Sequence, residues 1–131
     1  LSSSNGSGVL QEITYALVRL VSGLCFSLHG VQKILGWFGG SRAHPFSQMW
    51  FAGIIELTCG LAMALGLGAR WAAFLASGEM AVAYIQVHWQ LHWDVRFLPV
   101  VNKGELALVY CFLFLYMAAR GNGRFSLGGR S

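Results

Sequence analysis

Charge is what this sequence has least of. Of 131 residues, 11% are charged, nine of them basic and five acidic. An ordinary soluble domain carries about 25%. With 56% hydrophobic and 14% aromatic residues and a mean hydropathy of +0.57, there is too little polar surface to coat a water-soluble domain of this size. Lipid is the expected solvent. Proline is nearly absent too, and both residues, Pro45 and Pro99, lie between apolar segments rather than within them. The three cysteines, Cys25, Cys59 and Cys111, sit mid-segment with no Cys-x-x-Cys spacing. That weighs against a thiol–disulfide enzyme acting alone and favours packing cysteines. No haem or iron–sulfur ligation pattern is present. His88 and His92 are spaced i, i+4, but only Asp94 is near as a third ligand, so no metal site is expected. Nothing resembles a nucleic-acid-binding motif. The formal charge of +4 needs no more than contact with anionic lipid.

What is there is an ordered series of apolar segments. Residues 1–12 are Ser/Gly-rich and read as a flexible tail. Four segments follow, at Ile13–Leu35, Trp50–Leu67, Trp71–Trp89 and Lys103–Ala119. Each is near the ~20 residues that span a hydrocarbon core. All five tryptophans, Trp37, Trp50, Trp71, Trp89 and Trp93, lie at segment ends, where an apolar ring with a polar N–H meets the membrane–water interface. Breakers fall between segments, at Gly39-Gly40, Pro45, Gly66, Gly68 and Pro99, and again after the last at Gly121 and Gly123. Backbone groups in lipid must pair internally, and Ala/Leu/Gly-rich runs of this length do so as helices. The expected fold is all-α: a transmembrane four-helix bundle, up-down-up-down, over residues 13–120, followed by a polar basic tail over 121–131. Four spans place both termini on one side. That side holds Arg19, Arg70, Arg120, Arg124 and Arg130, against Lys33, Arg42, Arg96 and Lys103 on the other, which favours cytoplasmic termini.

The costly residues are the ionisable ones inside the spans. A charge at a helix centre costs roughly 2.5–3.5 kcal/mol on insertion scales, so such groups face the bundle interior and find partners. In the second segment Glu56, Gly60, Ala64 and Gly68 recur every fourth residue, a carboxylate in line with small residues that allow close helix approach. In the first, Arg19, Gly23 and Ser27 form a similar stripe, with Gly30 and Lys33 within about 40° of Arg19 and His29 one turn from Lys33. In the third, Ala72, Ala76, Glu79, Ala83, Gln86 and Gln90 share a face. Packed together, these faces predict a polar seam in which Arg19, Lys33 and His29 oppose Glu56 and Glu79.

Plainer roles compete with functional ones. Lys33 is about 6 Å along the helix from Trp37 and reads equally as a side chain reaching the interface. His29 reads also as a satisfied packing group. Glu56 and Glu79 each lie ~9–12 Å from the leading tryptophan of their helix, yet a purely structural ion pair with Arg19 or Lys33 explains them as well. Asn102-Lys-Gly-Glu105 fits a capping box for the last helix.

In order and spacing, Arg19 and Gly23, His29-Gly30 with Lys33, Glu56 with Gly60, the LGLGAR turn at 65–70, the NKGE stretch at 102–105 and the GNGRFSL stretch at 121–127 resemble the DoxX family of small bacterial membrane proteins. Two positions depart from the family pattern. Asn122 stands where a Pro is usual, and Gly128 where an Asp follows Ser-Leu. The resemblance implies a multi-pass protein of the bacterial inner membrane, linked to redox complexes such as a terminal oxidase or a thiosulfate:quinone oxidoreductase.

Two roles follow. In the first the chain is a quinone-interacting subunit. His29 and Lys33 donate hydrogen bonds to a quinone, Glu56 or Glu79 moves protons, and electrons come from a partner. In the second it is a non-catalytic accessory subunit, docked on a larger membrane complex or self-associated, with the ion pairs fixing helix register. The catalytic candidates are His29, Lys33, Glu56 and Glu79, and the quinone candidates His29, Lys33 and Glu56.

Overall fold

The computed structural model describes residues 2–129, with side chains from residue 6 on. Helix α1 covers Ser2–Leu35 and ends at Gly36, whose φ of 71° stops it. Helix α2 is Gln48–Leu65 and α3 is Ala69–Ala83. The latter runs on as a wider π-turn, Tyr84–Trp89. A 3-10 turn at Val95–Phe97 leads to the short α4, Pro99–Asn102, and then α5, Glu105–Arg120. Among the described residues there is no strand. The first twelve residues, expected as a tail, are helical from Ser2 and belong to α1.

Local chemistry sets the boundaries. Ser47 caps α2, its Oγ accepting from Trp50 N at 3.2 Å. Gly66 closes α2 in the left-handed conformation, with its N–H on Met63 O and Leu67 N on Ala62 O. Gly68, also left-handed, opens α3 at once. The expected capping box is not formed. Pro99 starts a separate turn that takes Asn102 as its last residue, and Gly104 becomes the cap of α5. Asn102 Oδ1 instead accepts from Gly104 N at 2.8 Å, and its amide donates to Arg96 O at 2.8 Å. Glu105 is the exposed first residue of α5.

The long helices meet in antiparallel pairs. Along α1 and α2, Gly23 faces Ala64, Ser27 faces Gly60, Gly30 faces Leu57 and Lys33 faces Gly53. The approach is backbone to backbone. A Cβ on Gly30 would fall 2.4 Å from Leu57 N, and one on Gly60 2.6 Å from Ser27 N. The stripe of small residues predicted on both helices is therefore this seam. Along α3 and α5, Arg70 Nη1 donates to Ala118 O at 2.9 Å and Ser77 Oγ to Cys111 O at 2.7 Å. Phe26, Tyr110 and Phe114 pack ring on ring across α1 and α5, with Met63 and Met117 fully buried beside them. The opposite faces are apolar and open. Leu17, Val21, Leu24 and Leu28 of α1, Trp71, Phe74 and Leu75 of α3, and Val109 and Phe112 of α5 are all exposed. Cys25 is exposed, Cys59 buried and Cys111 half-buried, all as free thiols.

Residues 121–129, read from the sequence as part of a polar basic tail, lie folded against the middle of α1 and the α2–α3 turn. Arg19, only 4% exposed, donates to Asn122 O at 2.6 Å and Phe125 O at 2.9 Å. Asn122 Oδ1 accepts from Ala69 N at 2.7 Å, and Leu127 N and Gly128 N each donate at 3.0 Å to Leu65 O and Gly66 O. Glu12 ties down the near side, pairing with Arg120 at 2.8 Å and accepting from Arg124 N at 2.7 Å.

Two outcomes check this packing. Gly60→Leu must push α1 from α2 and is expected to cost about 1–3 kcal/mol or more by overpacking, seen as a lowered unfolding midpoint in detergent. Asn122→Ala strands the buried Ala69 N–H, at about 1–3 kcal/mol, and is expected to speed limited proteolysis of the C-terminal residues.

Candidate functional site

Lys33 and Glu56 meet because α1 and α2 run antiparallel with no side chain between them at Gly30 and Gly53. Lys33 Nζ donates to both carboxylate oxygens, at 2.6 Å to Oε1 and 2.8 Å to Oε2. The Glu56 side chain is 2% exposed and that of Lys33 24%. Burying such a pair costs several kcal/mol per ion before its attraction is counted. It holds only with close geometry, which the bifurcated contact provides.

The pair borders a cavity of about 280 Å³ between the helices. His29 lines it from α1, Glu79 and Met80 from α3, His88 from the π-turn, and Lys103 and Tyr110 from the α5 side. The remaining wall is apolar, including Phe26, Met49, Ala52, Leu106 and Ala107. Glu56 and Glu79 line the same cavity, and Glu79 Oε2 is buried with no hydrogen-bond partner. The arrangement is thus a carboxylate, Glu56, anchored by Lys33, with a second carboxyl, Glu79, in the wall of the same partly apolar chamber.

All four catalytic candidates, His29, Lys33, Glu56 and Glu79, line this one cavity. Arg19 does not. The expected opposition of Arg19 to Glu56 and Glu79 is corrected by its place midway along α1, on the carbonyls of Asn122 and Phe125. Fourteen residues separate it from Lys33, about 21 Å along the helix, and the antiparallel register puts Glu56 level with Lys33. Sequence reasoning missed Lys103 and Tyr110 and did not include His88 in the seam. His88 is brought in by the π-turn, which widens the chain path after Ala83, and its Nδ1 lies 3.3 Å from Asn102 O. No signal in the spacing marks that turn. His92 and Asp94 stay outside. Asp94 caps the 3-10 turn, and its bond to Arg96 holds its carboxyl below the usual carboxylate range.

Two helices, Gly6–Leu35 and Gln48–Leu65, are long and apolar enough to cross a membrane. With the open apolar faces, they give the chain the character of a small helical membrane protein. It belongs to the DoxX family, whose model (DoxX) matches residues 14–89. That match takes in His29, Lys33, Glu56, Glu79 and His88 and leaves Lys103 and Tyr110 beyond it. The chain is 39% identical over 119 residues to an uncharacterized protein of Haemophilus influenzae, in an alignment covering 88% of each. No solved structure matches it.

Lys33→Met leaves the Glu56 carboxylate unpaired. The expected loss is about 3–5 kcal/mol, toward the lower end because Lys33 keeps partial exposure. A Lys33→Met/Glu56→Met double variant is expected to recover at least half of it. Chemical unfolding of the three proteins in one detergent measures the coupling; additive losses would show that the contact carries no energy.

Proposed function

We propose that this protein is a quinone-interacting subunit of a membrane redox complex in the bacterial inner membrane. In this reading α1, α2, α3 with its π-turn, and α5 cross the membrane as an up-down-up-down bundle. Both termini are cytoplasmic, on the side of Arg70, Arg120 and Arg124. The eighteen residues of α2 make about 27 Å of helix, close to the ~30 Å hydrocarbon core. The sixteen of α5 make about 24 Å, and the interfacial tryptophans accommodate the difference.

The observation that carries the reading is the Lys33–Glu56–Glu79 group facing an apolar chamber. A chamber of about 280 Å³ is at the lower end of ligand pockets and suits one substituted ring. Quinones have an apolar ring with two carbonyl acceptors, and the chamber offers donors in Lys33 and His29 within apolar walls. A bound quinone supplies two-electron, two-proton redox chemistry. The chain's own residues do the rest. Lys33 is held in place by Glu56 and presents its remaining ammonium hydrogen to an acceptor. His29 offers a second donor. Glu79, whose Oε2 is buried without a hydrogen-bond partner, moves protons, while Glu56 holds Lys33 in place. The apolar wall keeps bulk water from the reacting oxygens.

The test is mass spectrometry of lipophilic molecules that co-purify with the native protein, compared with a His29→Ala/Glu56→Gln variant checked for folding. Quinone at near one per chain, lost in the variant, is the expected result. Lipid alone, equal in both, would make the ion pair structural and the protein an accessory subunit of the complex it joins.

A further inference from the structure

A second cavity, of about 610 Å³, lies between α2 and α3. Phe51 and Ile55 wall it on one side, Phe74, Leu75 and Val82 on the other. It adjoins the charged chamber. Met49, Ala52, Glu79, Ala83 and Val87 line both, so Glu79 stands at the junction. Phe51, Phe74, Leu75 and Val82 are all exposed, so the groove opens sideways, on the face turned to lipid. Gln48 Nε2 donates to Gln86 Oε1 at 2.6 Å and straps the two helices together at one end. Gly78 keeps the groove open, since a Cβ there would meet nothing within 4 Å. Glycine inside a helix costs about 1 kcal/mol against alanine. Neither a turn nor a close helix approach accounts for it at this position.

We infer that this groove holds the isoprenoid chain of a quinone whose head group occupies the charged chamber, and that the molecule enters from the bilayer between α2 and α3. The inference rests on the quinone reading above. A chamber with hydrogen-bonding groups in its wall, adjoining an apolar groove at Glu79, has the shape of a molecule with a hydrogen-bonding head on an apolar chain. In lipid the channel gains nothing from hydrophobic transfer, because acyl chains are as apolar as its walls. What it supplies is shape: close packing of one chain in a fixed place. The groove therefore acts as a length and branching filter on a ligand recognised at its head.

The experiment compares binding of two probes, a short-chain quinone without isoprene units and a long-chain isoprenoid quinone, to the full chain in lipid nanodiscs. Gly78→Leu and Gly78→Trp fill the groove in two steps at a position where a Cβ meets nothing within 4 Å. Long-chain binding is expected to weaken by about tenfold or more in Gly78→Trp, and less in Gly78→Leu. Short-chain binding is expected to stay within about twofold and serves as the measure that the chamber is intact. Unchanged binding of both probes in both variants would overturn the inference while leaving the head-group site standing, and would assign the groove to a lipid chain or a partner helix. Equal weakening of both probes would also overturn it, since the glycine would then act on the chamber. Failure of both probes to bind the unaltered protein would overturn the quinone reading and this inference with it, and failure of the long-chain probe alone would overturn this inference.

Discussion

The contact between Lys33 and Glu56 sets the conditions that the rest of the structure meets. An ammonium and a carboxylate buried between apolar helices are tolerated only at close range and with matched geometry. That range requires α1 and α2 to touch along their backbones, and only residues without side chains permit it. Gly23, Gly30, Gly53 and Gly60 supply the seam. The antiparallel register then puts Lys33 level with Glu56, and α3 brings Glu79 to the same level. A chamber with charge on one side and apolar walls elsewhere follows from these constraints.

The opposite end solves a different electrostatic problem. Arg19 is buried like Glu56, but among the described residues no carboxylate meets it. Its two terminal guanidinium nitrogens donate to backbone carbonyls of the C-terminal segment, a use suited to a planar fork of donors, while its buried Nε has no hydrogen-bond partner. Two residues that depart from the family pattern are neighbours there. A Cβ on Gly128 would lie 2.9 Å from Asn122 Nδ2 and 2.7 Å from Gly66 O, so the Asn122 amide occupies the space a side chain at 128 would need. The C-terminal segment thus closes one end of the molecule, while the chamber lies toward the other.

Much of the site was legible because helical periodicity is a local property. A rotation of 100° per residue placed Lys33 and Gly30 on one face, Glu56 with Gly60 and Ala64 on another, and Glu79 with its alanines on a third. All three faces turn inward. Periodicity says nothing about height. Arg19 and Lys33 share a face, and only the register between helices decides which of them reaches a carboxylate. The same limit explains Asn102. Its spacing to Glu105 matches a capping box, but Pro99 had already begun a turn that ends on Asn102. His88 entered the chamber through a π-turn, a one-residue widening with no residue signature.

The sequence by itself determined the all-helical class, the positions of the breaks and the inward faces, since each depends on neighbours within a few residues. It determined the apolar outer surface too, because fourteen charges cannot cover a domain of this length. Tertiary structure decided which charge meets which. It decided that residues 121–129 pack rather than trail, and that the charged chamber adjoins an apolar groove between α2 and α3. These depend on the relative height and approach of helices far apart in the chain, which are fixed only when backbones meet at glycine and buried charges find the one partner within reach.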